Sequence, residues 1–266
     1  MAIANSLALL LYLVCSVALI RHFVQGDKTQ ALALPVGLLT ILALIFHGTD
    51  IFFTMSNAGG WDVSLFSTMT IAAWVMAFIA YLIGLKNHAA HPGILIYPLV
   101  ALTLILKSTL PSNTTGGLSS PALEWHVLLS LTAYSLFTLA AIQALVLAVQ
   151  ERQIRQRSLG GLMRQLPPLQ SMEASLFQLI GSGFLLLTIG LITGLIFLDD
   201  IFAQQLAHKT VLSLIAWCVF ATLLWGRRQY GLRGQTAIKW TLVGFLFLVL
   251  AYFGSKFVLE FILSQS

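Results

Sequence analysis

The sequence predicts an all-α fold, a polytopic membrane bundle of about eight transmembrane helices with both termini on the non-cytoplasmic side. Three observations lead there. Of 266 residues, 58% are hydrophobic and only 9% charged, with a mean hydropathy of +0.92, which is more apolar surface than one soluble core can bury. Apolar runs of about 20 residues recur along the chain, separated by short polar breaks. The basic residues, finally, are unevenly shared between alternate breaks. Residues 1–266 read as a single transmembrane domain.

The first run, Ile3 to Ile20, has neither a basic residue before it nor a small-residue cleavage site after it, and reads as a retained helix. Further runs follow at Ala31 to Phe53, Leu65 to Leu85, Gly93 to Leu110, Leu123 to Val149, Ala174 to Leu198, Thr210 to Trp225 and Ala237 to Ile262. Pro35 falls in a first turn, where its missing N–H costs nothing, whereas Pro98 is placed to kink the fourth helix. Odd-numbered loops carry Arg21, Lys28, Lys86, Arg152, Arg155, Arg157, Arg164, Arg227, Arg228, Arg233 and Lys239; even-numbered loops and the C-terminus carry only Lys107, Lys209 and Lys256. The bias puts the odd loops in the cytoplasm. Residues 150–172 hold four arginines, Gly160-Gly161 and Pro167-Pro168, the pattern of a cytoplasmic basic connector with a short surface-lying helix.

Composition excludes several function classes. The basic residues are spread over separate loops, so nucleic acid is not a partner. Cys15 and Cys218 lie inside apolar runs and make neither a disulfide framework nor a zinc site. No nucleophile with a base, phosphate-cradling glycine loop or intramembrane carboxylate pair is visible, and Asp199-Asp200 reads as an outward turn, so an enzyme is not expected. A secondary transporter would show internal repeats and a charged site at mid-bilayer, and neither stands out. Gly181, Gly183, Gly190 and Gly194 of the sixth helix read as a close-packing face. Lys256 and Glu260, four residues apart, form an expected ion pair. Asn113-Thr114-Thr115 has the form of a glycosylation sequon.

Intramembrane ionisable residues are costly and mark function. Three histidines fall towards the outer side: His47, with Asp50 three residues on and on the same helical face; His126, opening the fifth helix after Trp125; and His208, opening the seventh before Lys209. The fifth and seventh helices present the positive ends of their dipoles there, which favours a neutral imidazole, the form that binds iron, and an acidic haem propionate. Facing histidines make axial haem ligands, with Trp61, Trp125, Phe53 and Phe202 available to pack on a porphyrin. The expected cofactor is a non-covalent, b-type haem, held by His126 and His208 as metal ligands with His47, Trp125 and Trp61 beside them. His22, His88 and His91 lie among polar residues of the inner loops and read as solvated.

The C-terminal third contains His208-Lys209-Thr210, Ile215-Ala216-Trp217, Gly231-Leu232-Arg233-Gly234 and Ala251-Tyr252-Phe253-Gly254. Together with Trp125-His126-Val127-Leu128-Leu129-Ser130 and Trp61-Asp62-Val63-Ser64-Leu65-Phe66, these resemble the CcsA-type cytochrome c assembly protein family, closest to its YpjD and HemX branch. The resemblance implies a haem-handling membrane protein in which His126 stands where the family has its first external haem-ligating histidine. Asp199 to His208 stands in place of the family's tryptophan-rich external loop, and Trp225 stands where the family can place a histidine. The implied partners are membrane lipid and a protein of cytochrome c assembly or haem biosynthesis. The alternative is a non-enzymatic scaffold or regulator of haem biosynthesis acting through the basic connector.

Overall fold

The computed structural model describes residues 2–25, 33–85, 91–110, 120–156, 166–197 and 204–254, with the side chains of 2, 33, 204–208, 253 and 254 outside that set. Eight α-helices are found among the described residues: α1 (Ala2–Gln25), α2 (Ala33–Ala58), α3 (Leu65–Gly84), α4 (Gly93–Thr109), α5 (Pro121–Arg155), α6 (Leu169–Phe197), α7 (Gln204–Tyr230) and α8 (Gln235–Val249), the last continued by a π-helical turn, Leu250–Gly254. Seven are long and apolar enough to cross a membrane, and α4 is a shorter apolar helix. A helix lies at each of the eight expected runs, the last followed only as far as the described residues go, and the chain is a polytopic helical membrane protein. Differences lie at the ends. Helix α5 runs on to Arg155 and α6 starts at Leu169, so both helices extend into the expected connector, whose centre at 157–165 lies outside the described residues. The Asn113 sequon, the Asp199-Asp200 turn and the Lys256–Glu260 pair also lie outside them.

Within 1–266 the helices form two compact units, α1–α4 and α5–α8. In the first, α1 packs on α2 and α4, and α3 on α2 and α4, closing a ring of four helices. Its core contains Ala8, Tyr12, Cys15, Ala43, Ile96, Tyr97, Val100 and Leu104, all nearly or fully enclosed. The Trp74 indole N–H donates to the Leu44 carbonyl at 2.9 Å, and Gly48 leaves room for that ring on α2. Asp62 organises the start of α3: its carboxylate accepts from the Ser64 backbone N–H at 3.0 Å, the Ser64 hydroxyl at 3.0 Å and the Ser67 hydroxyl at 2.6 Å. A carboxylate there both satisfies free helix donors and meets the positive dipole end.

In the second unit α5 packs on α6 and α8, and α7 on α6 and α8. The α5–α6 contact is built on glycine. A methyl group at Gly183 would stand 3.2 Å from the Phe137 ring, at Gly190 3.4 Å from Ser130 Oγ, and at Gly194 3.1 Å from His126 Cε1. Three of the four sequence-predicted glycines thus form the close-packing face; Gly181 faces open space. The α7–α8 turn uses Gly231 and Gly234 at φ 65° and 59°, a left-handed backbone that other residues adopt at a cost. Buried Glu173 of α6 accepts the Gly234 N–H at 2.6 Å, Glu151 of α5 accepts from Gln235 Nε2 at 2.9 Å, and Arg227 donates to the Leu232 carbonyl at 3.1 Å. Two carboxylates from the α5–α6 pair therefore tie down the amino end of α8.

A side chain in the glycine seam should force α5 and α6 apart. Gly183→Leu is expected to destabilise the protein by about 2 kcal/mol or more through overpacking against Phe137, whereas Gly181→Ala should stay within about 0.5 kcal/mol of the parent or exceed it. Thermal unfolding of the two variants in one detergent checks the contrast.

Candidate functional site

The expected site residues divide between the units. His47 and Trp61 belong to α1–α4, whereas Trp125, His126 and His208 belong to α5–α8. Each set has its own surroundings.

His126 lies in the second turn of α5, half-buried, with its Nδ1 3.0 Å from the Thr193 hydroxyl of α6. The absence of a side chain at Gly194 lets α6 approach the ring that closely. Thr193 Oγ1 is also 3.0 Å from the Gly190 carbonyl oxygen of its own helix. Trp125, the preceding residue, is 65% exposed and leaves a bare indole at the same end of the unit. Helix α7 starts a turn earlier than the sequence suggests, at Gln204, so His208 sits inside its first turns rather than at its opening; the His208 side chain lies outside the described residues. Its neighbour Lys209 places Nζ 6.0 Å from the centroid of the Tyr252 ring, which in turn packs at 5.6 Å on buried Tyr134. Because α6 ends and α7 begins at the end where α5 starts, His126, Thr193 and Lys209 share that end.

In the first unit His47 is completely enclosed. Its Nδ1 is 3.4 Å from the Tyr12 hydroxyl, and the two rings meet edge to face at 5.8 Å. Tyr97 packs beside Tyr12 at a ring distance of 5.6 Å. Asp50, one turn beyond His47 and 2% exposed, is paired with Lys107 Nζ at 2.7 Å, and the same ammonium donates to Thr54 Oγ1 at 2.8 Å. Local sequence shows His47 and Asp50 on one face but gives no sign of Lys107, 57 residues away. Trp61 is half-buried immediately before Asp62.

Of the histidines read as solvated, His91 departs most clearly, His22 is half-buried as well, and His88 lies outside the described residues. His91 is half-buried: a methyl at Gly84 would collide with its ring, its Nδ1 accepts the Gly93 N–H at 2.9 Å, and it packs on Tyr97 at 5.8 Å. Two glycines, not polar neighbours, decide its surroundings. Among the described residues no group of three His, Cys, Asp or Glu side chains is placed to hold a bare metal ion. A haem iron asks less of the protein, one or two axial ligands, because the porphyrin supplies the other four.

Comparison with known proteins places the chain. The family model described as "Cytochrome C assembly protein" matches residues 3–263. The inner membrane protein YpjD of Escherichia coli (strain K12) is 29% identical over 225 residues, 84% of this chain and 85% of that protein. Protein HemX of Brevibacillus brevis is 24% identical over 256 residues, 93% of each chain. The cytochrome c biogenesis protein CcsA of Synechococcus sp. (strain CC9902) is 26% identical over 220 residues, 73% of this chain and 69% of that protein. The chain belongs to the cytochrome c assembly protein family. It is a multi-pass inner-membrane protein related to cytochrome c biogenesis.

The buried pair in the first unit has a measurable consequence. Lys107→Met should destabilise by about 3–5 kcal/mol, because it strands the Asp50 carboxylate in apolar surroundings, and adding Asp50→Leu should recover most of the loss. Thermal unfolding in detergent distinguishes these outcomes.

Proposed function

We propose that this protein binds haem non-covalently at the outer end of the α5–α8 unit, with His126 as an axial ligand, and handles haem for cytochrome c assembly. The observation that carries the proposal is the His126 environment: a half-buried imidazole held through Nδ1 by Thr193, beside an exposed tryptophan. Family membership supports it, and so do the names of the relatives, one of them a cytochrome c biogenesis protein.

The residues fit such a group in kind. An imidazole engaged at one nitrogen keeps the other for iron, and Trp125 provides an aromatic face where a flat macrocycle can pack. His208, carried by α7 at the same end of the unit, is the second residue proposed to hold the group. Lys209 adds a cation there, suited to an acidic propionate. His47 has no exposed surface and is engaged with Tyr12, so the proposal rests on the second unit alone. Bound haem would supply the iron and the reactive periphery that a cytochrome carries, while this chain binds, orients and shields. In this reading the protein is a carrier rather than an enzyme, and its partner is a component of cytochrome c assembly.

Protein purified from haem-replete cells is expected to show a Soret band and to give b-type haem in a pyridine haemochrome assay. His126→Ala should abolish the band, and reversing the charges of Arg152, Arg155 and Arg157 should leave it intact. Colourless parent protein sinks the proposal. If instead the arginine reversals abolish function in cells while the histidine changes are silent, the chain is a regulator acting through its basic connector.

A further inference from the structure

We infer that Thr193 is a positioning residue that holds His126 in its Nδ1–H tautomer and thereby presents Nε2 as the lone pair for iron. The inference rests on the haem-ligand reading above and adds the residue that prepares the ligand.

Thr193 Oγ1 has two neighbours at the same distance, His126 Nδ1 at 3.0 Å and the Gly190 carbonyl oxygen at 3.0 Å. A hydroxyl carries one proton, and a carbonyl can only accept. If the hydroxyl donated to Nδ1, two lone-pair oxygens would face each other at 3.0 Å with no hydrogen between them. The arrangement that places a hydrogen in both contacts has Nδ1–H donating to Oγ1 and Oγ1–H donating to the Gly190 carbonyl. Nε2 then has no proton and keeps its lone pair.

Packing keeps the ring from escaping this arrangement. The Cε1 corner of the ring is pressed against α6 where Gly194 has no side chain; a methyl there would stand 3.1 Å from Cε1, 3.7 Å from Nδ1 and 3.9 Å from Nε2. A half-turn of the ring would put a carbon against Thr193 Oγ1 and forfeit the hydrogen bond. Hydrogen bonding at Nδ1 raises the basicity of the opposite nitrogen, and such outer partners of a histidine ligand typically govern metal affinity about 10–100-fold. A hydroxyl relayed to a carbonyl is a weaker acceptor than a carboxylate, which points to the lower end of that range.

The test uses the full chain in detergent, first without haem. In protein labelled with 15N-histidine, the His126 signals, assigned by their loss in His126→Gln, are expected to show a protonated Nδ1 and an unprotonated Nε2. Thr193→Val keeps the side chain's shape and removes the hydroxyl; it should shift the population towards the Nε2–H tautomer, and Thr193→Ser should restore the parent pattern. After haem loading, the valine variant should hold haem about tenfold more weakly and show a raised reduction potential, with both values recovered in the serine variant. An Nε2–H tautomer in the parent protein overturns the inference. So does a haem-containing valine variant with the parent's tautomer and potential, an outcome that leaves His126 as ligand. A parent protein that takes up no haem overturns the ligand reading, and Thr193's role falls with it.

Discussion

The close approach of α5 and α6 is the contact on which the candidate site depends. It is made by absence: three glycines on α6 let Phe137, Ser130 and His126 of α5 rest against bare backbone. The spacing is regular. Seven and then four residues along α6, from Gly183 to Gly190 to Gly194, match seven and four residues backwards along α5, from Phe137 to Ser130 to His126, as two antiparallel helices in register require. Between membrane helices there is little hydrophobic force to draw on, so close van der Waals contact and short interhelical hydrogen bonds carry association. The His126–Thr193 bond is one of these, which means that the packing motif and the chemistry of the imidazole have a common origin.

The first unit solves a different problem. It encloses Asp50, Lys107 and Thr54 in one hydrogen-bonded group, an arrangement in which the pair compensates charges that neither partner could keep alone. Near it, His47 is fully enclosed against Tyr12, and Tyr97 packs beside that ring. Charge and hydrogen bonding in this unit are thus organised around a buried ion pair, and in the second unit around an imidazole with one nitrogen engaged.

The helices were legible because their signals are local. A span announces itself by its length and lack of charge, and the glycine face of α6 by its spacing, so both were found where expected. His126 was legible for the same reason, as a histidine in a short stretch that resembles the family's. What escaped the sequence is what depends on partners far along the chain. Thr193 is one of many threonines in apolar helices and acquires its role only when α6 brings it to a residue 67 positions earlier. Lys107 reads as a loop cation until Asp50 is seen beside it. His91 looks solvated among polar neighbours until Gly84, on another helix, is seen to make room for it.

The sequence by itself determined that this is a helical membrane protein, how many spans it has, which family it resembles and which histidine to examine, because hydropathy, helical period and short motifs act over a few turns of chain. Only the tertiary structure decided how the helices group into two four-membered rings, which buried charge meets which counter-charge, and which nitrogen of His126 is engaged. Those outcomes depend on distances of about 3 Å between residues that the chain itself separates by dozens of positions, and such distances exist only once the helices have packed.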